Sequence, residues 1–183
     1  MHKFLNIPNS LTILRISLIP IFILMFYLPY KWHYMASTLV FLLASLTDYL
    51  DGYLARKLQQ ESAFGTFLDP VADKLIIVVA LILLVEEHAS CWFSIPAVVI
   101  ICREILISAL REWMADVGKR THVAVSWLGK IKTSLQMVAI TVLLAFPAQF
   151  NQIILIAYVS LYLAVILTIW SMLAYLWVAR KSF

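Results

Sequence analysis

The sequence predicts an all-α integral membrane protein of six transmembrane helices, forming a single domain over 1–183 with both termini in the cytoplasm. Composition and pattern carry that expectation together. Of 183 residues, 63% are hydrophobic and only 13% are charged, too little polar surface to cover a soluble globule of this size. The apolar residues gather into six runs, each near the roughly 20 residues that cross a 30 Å hydrocarbon core. Most of the basic residues flanking those runs fall in alternate connections, on one side.

A short cytoplasmic or interfacial segment, 1–10, precedes the first run, 11–30. Arg15 and Pro20 interrupt that run, it is longer than a signal-peptide core, and no small-residue cleavage site follows, so it is read as a spanning helix. The second run, 33–54, closes with Asp48 and Asp51. The third, 69–85, opens on Asp69 and Pro70. That pair reads as an N-cap and first-turn proline, starting the helix at the membrane surface with its positive dipole end towards the aspartates. The fourth run, 92–113, holds Cys102, with Cys91 just before it; two cysteines so close suggest small apolar side chains, not a disulfide framework or zinc site. The fifth and sixth runs are 123–146 and 152–178.

Lys3, Arg56 with Lys57, Lys119 with Arg120, and Arg180 with Lys181 share one side of this topology. The other side holds Lys31, then Glu86, Glu87 and His88. The positive-inside rule therefore places both termini and the even-numbered loops in the cytoplasm, where the aspartates also lie. Tyr30, Trp32 and Trp92 fall at the outer interface as an aromatic belt. The net charge of +4 suits anionic cytoplasmic lipid headgroups and calls for no nucleic acid.

Four aspartates, Asp48, Asp51, Asp69 and Asp73, lie in the segment DYLDGYLARKLQQESAFGTFLDPVAD. A carboxylate at bilayer depth costs at least about 2.5 kcal/mol, so four together need a compensating charge, and a divalent metal supplies it. Asp48 and Asp51 are three apart and Asp69 and Asp73 four apart, so each pair shares a helix face, and two facing helices would build one four-carboxylate site. Hard oxygen ligands without nearby Cys or His favour Mg²⁺ or Mn²⁺ over zinc. Gly52 leaves room beside the second carboxylate, and Arg56, one turn on, offers a bidentate phosphate contact. Phosphoryl transfer is the chemistry this set suits, with a spare carboxylate accepting an alcohol's proton.

The spacing D-x2-D-G-x2-A-R-x8-G-x3-D-x3-D, filled by Asp48, Asp51, Gly52, Ala55, Arg56, Gly65, Asp69 and Asp73, resembles that of the CDP-alcohol phosphotransferases. The resemblance implies a six-helix membrane enzyme, usually a homodimer, that moves a phosphatidyl group from a CDP-linked lipid to an alcohol and releases CMP. It implies two divalent cations on Asp48, Asp51, Asp69 and Asp73, with Asp73 also the proton acceptor. Pro8, Asn9, Thr12, Gly52, Arg56, Ser62 and Gly65 correspond to positions that bind the CDP-diacylglycerol. The segments NIPNSLTILR, CREILISALREWMA and VSWLGKIKTSLQM are similar to a bacterial branch that uses sn-glycerol 3-phosphate as acceptor, which implies the bacterial inner membrane.

Charge supports that acceptor. Lys74, Arg103, Arg111, Lys130 and Lys132 stand against Glu104 and Glu112 in and beside the apolar runs. The cationic excess suits an alcohol carrying its own phosphate, and Arg103, Arg111, Lys130 and Lys132 are the candidates to bind it. Ion pairing with the two glutamates and snorkelling to headgroups are the competing roles, while Lys74 is placed to steady an aspartate. Inositol phosphate or phosphatidylglycerol would serve as acceptor by the same chemistry. Outside that chemistry, intramembrane carboxylates also suit a cation or proton transporter, although such sites usually lie near the midplane on broken helices. A noncatalytic membrane scaffold is a third alternative.

Overall fold

The computed structural model describes residues 7–58, 63–116, 127–149 and 151–180, and every regular element among them is an α-helix. The helices are α1 (Ile7–Phe26), α2 (His33–Leu58), α3 (Ala63–His88), α4 (Cys91–Asp116), α5 (Trp127–Ala145) and α6 (Gln152–Arg180), one per apolar run.

Local chemistry sets their ends. α1 begins before its run, at Ile7, with Pro8 in the first turn, where a missing N–H leaves no internal bond unmade. It stops at Phe26, and the amides of Tyr27 and Leu28 reach back to Ile23 (3.2 Å) and Met25 (3.5 Å). Pro29 restricts Leu28 and prevents another turn. The expectation that Asp69 caps α3 is overturned: the helix starts at Ala63 and contains Pro70 in its interior. The segment Ala63–Leu68 is helical and the helix continues through the proline, which lacks the amide that would bond the preceding turn and crowds the carbonyl there. Asp69 therefore lies inside the helix and not at its positive dipole end.

A two-residue turn joins α3 to α4. Ala89 adopts a left-handed backbone (φ 41°), and its amide bonds the Val85 carbonyl at 3.0 Å, the single-bond left-handed cap common at helix ends. Ser90 then receives the amides of Phe93 (3.0 Å) and Ser94 (2.9 Å) through its carbonyl. α6 opens with Asn151 as N-cap, its side-chain oxygen accepting from the Ile154 amide at 2.8 Å.

The chain divides into two compact units. The first runs to Leu84 and includes Leu144–Pro147; the second comprises Val85–Leu143 and the chain from Ala148 on. In the first, α1 packs on α2, with Phe22 against Phe41 (ring centroids 6.1 Å apart) and Ala44, Ala72, Ile76 and Leu81 buried. In the second, α4 packs on α6 with Ala97, Ile100, Leu161 and Ala164 buried; small residues let helix backbones approach closely. His88 stacks on Phe93 at 5.0 Å, and Tyr158 meets both rings edge-on.

Large apolar side chains such as Leu24, Met35, Phe67, Ile156 and Trp170 lie exposed on these helices, a surface that suits lipid and not water. Asn9–Phe26, Cys91–Met114 and Gln152–Leu173 are long and apolar enough to cross a membrane, and Ile131–Ala145 is a shorter apolar stretch. α2 and α3 carry the aspartates where their apolar stretches end and begin. Tyr30 and Trp32 are exposed and stacked at 6.0 Å, and Trp92 is exposed.

Candidate active site

In the first unit, the largely apolar α1 carries a buried polar stripe. Asn9, Thr12 and Arg15, spaced three apart, are all buried, so they share one face of the helix. Thr12 donates its hydroxyl to Asp69 on α3. Arg15 donates to Asp73 on α3 and the same terminal nitrogen lies 3.2 Å from Asp48 on α2. One helix thus gathers carboxylates from two others. Arg15 was legible in the sequence only as a break in an apolar run, yet a buried guanidinium in such a run requires a charged partner. Lys74 makes no ion pair among the described residues, and Arg15 performs the role suggested for it.

Asp48 and Asp73 reach a single cationic nitrogen from separate helices, so their oxygens already converge. An all-oxygen donor set of this kind fits a hard divalent cation such as Mg²⁺ or Mn²⁺. Among the described residues no three His, Cys, Asp or Glu side chains form one metal-binding group. The side chain of Asp51 lies outside the described residues, as do those of Pro8, Arg56 and Ser62, while Gly52 lies in α2 and Gly65 is buried.

In the second unit, Arg103 and Glu104 of α4, Lys132 of α5 and Ser171 of α6 form a polar cluster. Arg103 Nη1 donates to Glu104 Oε1 at 2.6 Å, and Lys132 Nζ donates to the same oxygen at 3.0 Å. Arg103 Nη2 donates to Ser171 Oγ at 3.0 Å. Arg103 and Lys132 are thereby brought together, and the pairing with Glu104 that competes with anion binding is real. Two cations share one carboxylate. The side chains of Arg111 and Lys130 lie outside the described residues. The contribution of Ser171 had no signal in an apolar α6 beyond being a hydroxyl there.

Beyond the polar clusters, His88 is half-buried against Phe93 and Tyr158, with its Nδ1 3.0 Å from the Tyr158 hydroxyl. Burial pushes the imidazole below its ordinary range, and the neighbouring Glu87 carboxylate partly offsets that. Tyr158 and Tyr162, which donates to the Trp92 carbonyl at 2.8 Å, fasten the start of α6 to the α3–α4 turn.

Known proteins are similar to this chain over nearly its whole length. A family model described as CDP-alcohol phosphatidyltransferase matches residues 5–170. A protein of Pseudomonas fluorescens is 56% identical over 174 residues, covering 94% of this chain and 89% of that protein. One from Sodalis glossinidius is 53% identical over 178 residues, 97% of each chain. A third, from Pectobacterium atrosepticum, is 52% identical over 177 residues, 97% of this chain and 96% of that one. All three carry the name CDP-diacylglycerol–glycerol-3-phosphate 3-phosphatidyltransferase.

Proposed function

The chain belongs to the CDP-alcohol phosphatidyltransferase family, and from that premise we propose that it transfers the phosphatidyl group of CDP-diacylglycerol to the C1 hydroxyl of sn-glycerol 3-phosphate. The products are phosphatidylglycerol phosphate and CMP. The observation that carries the proposal is the convergence of Asp48 and Asp73 on Arg15, with Asp69 held by Thr12. These carboxylates belong to the motif that the resemblance assigns to the diphosphate.

Members of this family generally use divalent cations. Here Asp48, Asp51, Asp69 and Asp73 would hold two, Mg²⁺ or Mn²⁺, which when bound neutralise the diphosphate and the charge developing on CMP. Pro8, Asn9, Thr12, Gly52, Arg56, Ser62 and Gly65 bind the donor's CDP portion, Arg56 as a bidentate phosphate contact. Asp73 accepts the proton of the C1 hydroxyl as its oxygen bonds to the β-phosphorus. The bond from that phosphorus to the oxygen bridging the two phosphates breaks, and CMP leaves with the electron pair. Arg103, Arg111, Lys130 and Lys132 take the acceptor's phosphate, supported by the cationic excess around Glu104.

The whole chain acts as one domain, since the family match spans both compact units. It crosses the bacterial inner membrane six times as a homodimer, with termini and carboxylates on the cytoplasmic side, as the distribution of Lys and Arg favours. The test is CMP release by purified protein in detergent, given CDP-diacylglycerol and Mg²⁺, with and without glycerol 3-phosphate. Release that requires glycerol 3-phosphate is expected. Release only with inositol phosphate or phosphatidylglycerol would reassign the acceptor, and none with any alcohol would refute the reaction. Asp73→Asn should abolish turnover while the protein stays folded; full activity would remove the base assignment.

A further inference from the structure

The cluster around Arg103 contains more than its charges. Glu104 Oε1 takes Nη1 of Arg103 and Nζ of Lys132, and Ser171 Oγ takes Nη2 of Arg103. Ser171 donates its own proton to the Thr168 carbonyl at 2.9 Å, so its oxygen is fixed as the acceptor for Arg103. With both terminal nitrogens engaged, on α4's own Glu104 and on α6, the guanidinium plane is held in one orientation.

Among the described residues, one buried atom on each of these two helices makes no hydrogen bond: Nε of Arg103 on α4 and Oγ1 of Thr168 on α6. Unmet buried polar atoms are few in native proteins, and each calls for a partner. Thr168 is itself fully buried and lies three residues before Ser171, on the same face of α6. α6 packs directly on α4, which carries Arg103. Two unmet groups on two touching helices, in a cluster where Arg103 and Lys132 share the single carboxylate of Glu104 and leave one positive charge in excess, match an oxyanion.

We propose that Arg103 Nε and the Thr168 hydroxyl are a donor pair for the phosphate of the acceptor, and that Glu104 and Ser171 are positioning residues that aim Arg103 at it. The inference rests on the assignment of the acceptor's phosphate to Arg103 and Lys132 made above, and adds Thr168 as a binding residue. An acceptor without an anionic group would leave both atoms unpaired, so the pair also discriminates between alcohols.

The test uses the full chain in detergent with CDP-diacylglycerol and Mg²⁺, varying glycerol 3-phosphate. Thr168→Val keeps the shape and removes the hydroxyl. It should raise KM for glycerol 3-phosphate about tenfold, the loss expected for one hydrogen bond to a charged group. KM for CDP-diacylglycerol should not change, and thermal stability should hold or rise because an unpaired buried hydroxyl is gone. Glu104→Gln should also raise the acceptor KM more than it lowers kcat, with Glu104→Asp recovering part of the loss. A wild-type acceptor KM in Thr168→Val would overturn the pair, and a lower acceptor KM in Glu104→Gln would show Glu104 competing with the phosphate instead of aiming Arg103. Arg103→Lys separates the two levels. If it raises the acceptor KM while Thr168→Val does not, only the present inference fails; if it leaves that KM unchanged, the acceptor assignment fails and the inference falls with it.

Discussion

Arg15→Met removes the guanidinium that gathers Asp48 and Asp73 while keeping a side chain of similar length for packing. At the 3.2 Å separation from Asp48, one unit-charge pair is worth on the order of 5 kcal/mol at an effective dielectric of 20. That gross figure is reduced twice. The Asp48 and Asp73 side chains are 50% and 39% exposed against 0% for Arg15, so solvent screens the carboxylates, and losing Arg15 also relieves the cost of burying it. Breaking a fully buried pair costs about 3–5 kcal/mol; here about 1.5–3 kcal/mol is expected. For a chain of this size that is a fall of about 3–12 °C in Tm. The assay is thermal unfolding in detergent with EDTA and then with Mg²⁺. Mg²⁺ should raise the variant's Tm more than the wild type's, because carboxylates deprived of the guanidinium gain more from another cation. A variant within about 0.5 kcal/mol of wild type in EDTA would refute the reasoning and place Arg15 with exposed ion pairs that contribute little.

Three further outcomes follow from the helix ends and the aromatic cluster. Ala89→Gly should raise stability by about 0.5–1 kcal/mol, because φ of 41° puts a Cβ where glycine has none; a lower Tm would mean that the turn is set otherwise. Asn151→Ala should cost about 1 kcal/mol by leaving the Ile154 amide without its 2.8 Å partner, read as a lower unfolding midpoint. His88 is held below its ordinary value of 6.5 by burial, so the unfolded chain binds the proton more readily than the folded one. Stability is then full above pH 6.5 and declines as pH falls through that value towards the lowered folded one. Unfolding midpoints measured from neutral to acidic pH should show that decline, and His88→Phe should flatten it.

The six helices and the gathering of the aspartates were legible because both are rare patterns with strong physical causes. Long apolar runs have few alternatives to a spanning helix, and carboxylates among them are too costly to be incidental. Arg15 was harder to interpret: its partner Asp73 lies 58 positions away, and only the side-chain contacts between α1 and α3 show that the two meet. The start of α3 was misread because Asp-Pro is a frequent helix opening, whereas the preceding Ala63–Leu68 segment is also helix-competent and continues through the proline. The pair of Arg103 with adjacent Glu104 was foreseeable as local charge balance. That Lys132 of α5 and Ser171 of α6 join it depends on helix packing.

The buried stripe on α1 shows why ordinary amphipathic periodicity does not find such a site. In water a helix turns its apolar face to the core, but here Leu14 and Leu24 face outward while Asn9, Thr12 and Arg15 are buried. Lipid removes the advantage of burying leucine, so the side chains with most to gain from an interior are those that carry hydrogen bonds and charge. The useful signal is therefore the spacing of polar residues within an apolar run. In α1 it is three and three, and it lands on Asp69, Asp73 and Asp48. In α6 Thr168, which is buried, and Ser171 have the same spacing of three, and Ser171 lands on Arg103. The two clusters are built by one rule, with a polar stripe on one helix arranging ionised groups supplied by others.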